Sequence, residues 1–107
     1  MSKVYIVNMV RNDISAARQW GEFKFINEKY VYPDELSEDG ELPQAVRDAL
    51  RDAALNFNPK FDYVLLVGDD LQRAAFMSFL GCLYREIRVL RWDRKAEGYI
   101  PAMIVGI

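Results

Sequence analysis

A chain of 107 residues, 51% hydrophobic and 28% charged, holds enough apolar material for one core and too much for a disordered tail. Its net charge of −2 supplies no overall field toward nucleic acid or anionic lipid, so binding of either kind needs a local patch. Histidine is absent and cysteine occurs once, which excludes Ser-His-Asp, Cys-His and zinc chemistry along with any internal disulfide.

Lys3 to Val10 (KVYIVNMV) is β-branched, aromatic and apolar on both alternating faces, the pattern of a central strand covered on both sides. Asp13 or Ser15 is placed to cap a short helix over Ile14 to Trp20, and Gly21 suits its end. Phe23, Phe25 and Ile26 give a short second strand, so the first 27 residues read as a compact βαβ start. The segment NEKYVYP, 27 to 33, extends that strand or makes an edge hairpin, limited by Pro33. Asp34 to Glu41 (DELSEDGE) has five acids and an Asp-Gly pair, which marks a solvated loop without the alternating ligands of an EF-hand.

Pro43 opens a helix whose Leu42, Val46, Ala49, Leu50, Ala53 and Phe57 recur on one face, and Asn56, Asn58 and Pro59 end it. Phe61 to Val67 (FDYVLLV) is the strongest strand pattern. Gly68-Asp69-Asp70 leads from it into a helix over Leu71 to Leu83, which is apolar beyond one stripe and needs cover on a second side. Phe76, Phe79, Leu80 and Leu83 are the residues expected to meet that cover, as the interface of a homodimer. Ile87 to Trp92 and Tyr99 to Val105 are two further strands, joined closely enough to be an antiparallel hairpin. The expected fold is one α/β domain over 1–107. It is a three-layer, Rossmann-like sheet of about five strands, mostly parallel, with an antiparallel C-terminal edge hairpin.

Ligands of open parallel sheets collect beyond the carboxyl ends of the strands. There the sequence places Asn8, Arg11, Asn12 and Asp13 after the first strand, and Asp69, Asp70 and Arg73 after the central one. Arg11 or Arg73 suits an anion, helped by a helix N-terminus. The plainer roles are a tight turn at Gly68 and an N-cap at Asp69. No GxGxxG or GxxxxGK[ST] fingerprint occurs. Asp69 and Asp70 with Mg²⁺ would make a phosphoryl-transfer or nucleotide-cleaving site. Arg85, Arg88, Arg91, Arg94 and Lys95 around Trp92 are the one basic cluster, read either as a nucleic-acid surface or as arginines guarding an edge strand.

The segments VYIVN at Val4 to Asn8, Asp13 with Ser15 to Ala17, GEFKFIN at Gly21 to Asn27, YVLLVGD at Tyr63 to Asp69 and WDRKAEGYIP at Trp92 to Pro101 resemble a set of small uncharacterised proteins of tailed bacteriophages. The resemblance covers most of the chain in order and implies a phage origin and a shared fold. It brings no activity with it, and a histidine associated with the loop after the first strand is replaced here by Arg11-Asn12. The expectation is a phage accessory protein, leaning away from catalysis and from any cofactor or metal. It would bind a host protein or a small nucleotide-like anion at the strand ends. The longest apolar run, Tyr63 to Gly68, is far short of the about 20 residues of a membrane span. With no secretory signal pattern, the host cytoplasm is the expected location.

Overall fold

The computed structural model describes residues 1–106. Strand β1 is Lys3–Asn8, and every residue from Val4 to Asn8 is buried, as its two-sided apolar pattern requires. A 3-10 helix, Ser15–Trp20, takes the place of the short helix expected there. The Asp13 carboxylate accepts from the Ser15 N–H at 2.9 Å just ahead of it. Strand β2 is Glu22–Asn27, helix α1 Gln44–Asn56, strand β3 Tyr63–Leu65, helix α2 Asp70–Leu83, strand β4 Glu86–Asp93 and strand β5 Gly98–Val105.

The sheet order is β2-β1-β3-β4-β5, parallel throughout except for the β4-β5 hairpin, so the α/β fold is the one expected. β1 leads outward to β2, and the chain then returns past β1 to β3. Right-handed crossovers in opposite directions must lie on opposite faces of the sheet. The 3-10 helix accordingly packs Ala17 against Val4, Ile6 and Leu65 on one face. Helices α1 and α2 enclose Tyr5, Val7, Val64, Ile87 and Val89 on the other. The reversal of strand order falls between β1 and β3.

Three local differences from the sequence pattern have physical causes. β3 is shorter than the apolar run Phe61 to Val67, because the Asp62 carboxylate is engaged by the N–H groups of Lys3 and Asn58 at one end. At the other end the Val67 N–H turns back to the Leu65 carbonyl. Residues 27–33 neither extend β2 nor form a hairpin: Val31 is buried, and its N–H goes to a carboxylate of α2 rather than to a ladder. Pro33–Glu35 adds a short 3-10 turn within what reads as loop.

Part of the extra apolar side of α2 is covered from within. Phe76 and Leu80 have no exposed surface, and Ala75, Met77 and Phe79 pack against the same core, beside α1. Phe76 stands 6.1 Å from the Tyr5 ring and 6.4 Å from Phe57, centre to centre. As interface residues Phe76 and Leu80 are therefore corrected to core residues. Burial pushes the phenols of Tyr5 and Tyr99 above their ordinary value of 10.0, further aided at Tyr5 by the Asp62 charge. A phenol whose native value is raised contributes fully below pH 10.0 and loses its contribution as pH climbs toward the native value. Stability should thus decline above pH 10.0, and in alkaline denaturation titrations Tyr5→Phe should soften the decline.

Candidate functional site beyond the ends of β1 and β2

At the reversal point between β1 and β3 the two loops meet in direct contact. Gly68 takes φ +92°, and a Cβ there would come within 2.6 Å of Asn8 Oδ1, so only glycine lets the strands close up. The same Asn8 oxygen accepts from the Asp69 N–H at 2.8 Å, while its amide donates to the Met9 carbonyl. Asp69, 1% exposed, caps α2 by accepting from the Leu71 N–H at 3.0 Å. Its other oxygen accepts from the Val31 N–H at 2.9 Å and from Gln72 Nε2 at 3.0 Å. Gln72, itself fully buried, also donates to the Lys29 carbonyl and accepts from the Asn27 amide. Gln72 and one Asp69 oxygen fix residues 27–31 to the start of α2, while Asn8 ties the end of β1 to the same turn.

That network shapes an open cleft one strand further out, beyond the ends of β1 and β2. The cleft has a volume of about 450 Å³ and is lined by Met9, Val10, Arg11, Glu28, Lys29, Tyr30 and Tyr32. Tyr30 and Tyr32 are exposed, with ring centres 5.0 Å apart and planes tilted by 59°. Among the described residues the ion pairs are Arg47 with Glu41 and Arg51 with Asp48, so Arg11 and Lys29 keep their charges unpaired. Exposed aromatic faces beside free cations suit a flat, anionic ligand.

The residues singled out from sequence divide accordingly. Asn8 and Asp69 do come together, as a closed structural cluster. Arg11 enters the cleft. Asn12 and Asp13 are exposed at the turn before the 3-10 helix. The Ser15 backbone N–H, with its hydroxyl, holds the Asp13 carboxyl below its usual range. Asp70 is exposed in the first turn of α2, while Arg73 reaches back to the Leu66 carbonyl at 3.4 Å. An Mg²⁺ site shared by Asp69 and Asp70 does not fit this arrangement, since both Asp69 oxygens already accept N–H groups and Asp70 points to solvent. No cluster of three potential metal-ligating residues exists among the described residues. Of the expected dimer face, Phe79 and Leu83 remain at the surface side, with the Arg51 guanidinium 5.4 Å from the Phe79 ring centre.

Strand alternation splits the basic cluster. Arg88 and Trp92 share one face of β4 while Arg91 projects from the other, and Arg94 and Lys95 sit in the hairpin turn. The Arg88 guanidinium is committed to Tyr63, 4.3 Å from its ring centre and 3.2 Å from its hydroxyl. The edge strand beside β4 is β5, which carries no charge at all, so the arginines of β4 do not guard an edge. Edge protection falls to Pro101. Its neighbour Leu90 uses its carbonyl toward β3, so the paired Pro101 turns its missing N–H to the free side.

The residues missed from sequence are Lys29, Tyr30 and Tyr32, which lie in a segment read only for strand content; a lysine directly before two tyrosines spaced by one residue was the available signal. No helix among the described residues is long and apolar enough to cross a membrane. A family model described as Phage Pam3 gp32-like protein matches residues 2–105. No curated protein and no solved structure matches the chain.

Proposed function

The chain belongs to the Phage Pam3 gp32-like protein family, and from that premise we propose that it is a phage accessory protein that binds a small nucleotide-like ligand in the cleft beyond β1 and β2. The observation that carries this reading is the pairing of two adjacent, exposed tyrosines with two unpaired cations in one cleft. Tyr30 and Tyr32 offer π-faces for a base, a sequence-tolerant contact worth about 1–3 kcal/mol. Arg11 and Lys29 offer charge-assisted hydrogen bonds to a phosphate. Glu28 sits in the same lining, where it repels the phosphate and accepts from a ribose hydroxyl, which orients the ligand.

Titration with the common ribonucleoside monophosphates, followed by tyrosine fluorescence and calorimetry, tests the reading. Tyr32→Ala and Arg11→Gln should each weaken binding by about tenfold or more, the equivalent of one lost stacking or phosphate contact. Neither side chain is part of the core, so thermal unfolding should stay near wild type in both variants. Absence of binding by every monophosphate, or binding undiminished in both variants, rejects the proposal.

A further inference from the structure

A second cavity lies on the helical face of the sheet at the β2 edge, toward the opposite ends of the strands. The floor beneath α1 is apolar at its centre, but at this edge Lys24 stands in register beside Tyr5, and Lys3 precedes Tyr5 on the same face of β1. α1 turns Ala49 and Ala53 toward this floor, and side chains that short leave it uncovered. The space measures about 420 Å³, and its lining includes Lys3, Tyr5, Lys24, Asp52 and Asn56. Cavities of this size are in the range of small-molecule sites.

Its polar groups are unspent. Neither lysine is ion-paired among the described residues, nor is Asp52. The Asn56 amide donates to the Asp52 carbonyl, which leaves the Asn56 oxygen free as an acceptor. Tyr5 is 1% exposed, and its buried hydroxyl has no hydrogen-bond partner. Native proteins rarely leave such a group unsatisfied, because it forfeits its bonds to water and gains nothing in exchange. Desolvation keeps this phenol protonated, hence a donor.

We propose that this cavity binds a small organic anion that also carries a hydroxyl or amino group. The phosphate or carboxylate of that anion lies between Lys3, Lys24 and the Tyr5 hydroxyl, and its hydroxyl or amino group is received by Asp52. The site shares no residue with the tyrosine-lined cleft, so it stands or falls independently of nucleotide binding there.

The test is an NMR titration of the isotope-labelled full chain with glycerol 3-phosphate, glutamate, inorganic phosphate and glycerol. Glycerol 3-phosphate or glutamate should shift the amides of Lys3, Lys24 and Asn56, more tightly than inorganic phosphate, with glycerol inert. The preferred of the two acids identifies phosphate or carboxylate as the head group. Lys24→Gln should weaken that binding about tenfold, as expected for one charge-assisted contact. Tyr5→Phe should abolish the ligand-induced rise in melting temperature without lowering the melting temperature of the free protein. The inference is overturned if neither acid shifts those amides, if inorganic phosphate binds as tightly as either, or if affinity is unchanged in both variants.

Discussion

Phe76→Ala is expected to lower the unfolding free energy by about 4 kcal/mol, the cost of a large cavity in a close-packed core. The ring has no exposed surface and is held between Tyr5, 6.1 Å away, and Phe57, 6.4 Å away. Its removal opens a gap where both faces of contact are rigid aromatics, so little collapse can offset the loss. Urea denaturation monitored by circular dichroism gives the number. The denaturation midpoint should not depend on protein concentration, because the side chain acts within one chain. A concentration-dependent loss, or a change below about 1 kcal/mol, would place Phe76 at a subunit interface instead.

The contrast between α2 as read and α2 as found shows which features a sequence carries. Periodicity gives the faces of a helix, and Leu71 to Leu83 is apolar on more than one of them. It cannot say whether the second apolar side meets another subunit or another helix of the same chain. Here the sheet takes Phe76 and Leu80, while α1 lies beside Phe79. The mostly parallel sheet with its antiparallel C-terminal hairpin was legible for a different reason: alternating strands and helices, joined by right-handed crossovers, leave few arrangements open, although the order of the strands was not read. The Gly68-Asp69 turn was legible as a turn and a cap, and both roles are present. What it also does is long-range. Asp69 reaches Val31, 38 positions earlier in the chain, and no local pattern encodes that contact. The basic segment 85–95 misled in the opposite direction, since a run of cations on a strand is divided between two faces by the pleat.

Asp69→Ala should cost about 3 kcal/mol, from loss of the α2 cap and from two donors left unsatisfied inside the protein. The Leu71 N–H loses its partner at the first turn, and the Val31 N–H and Gln72 Nε2 lose theirs in the buried cluster. Asp69→Asn separates charge from hydrogen bonding. Its carbonyl oxygen can still cap α2, but its amide must then face the Val31 N–H and Gln72, donor against donor. A loss of about 2 kcal/mol is expected for that variant. Chemical denaturation measures both losses, and amide hydrogen exchange locates them. Val31 should exchange faster in either variant by more than the global destabilisation accounts for, because its loop is released from α2 while the sheet persists. The same release should weaken nucleotide binding, since Tyr30 and Tyr32 flank Val31 and take their separation from it. If Asp69 were a metal ligand, Mg²⁺ would raise the melting temperature of the wild type and not that of Asp69→Asn. The closed hydrogen-bond network predicts no Mg²⁺ effect on either protein, and Asp69→Ala within about 1 kcal/mol of wild type would refute the network's structural role.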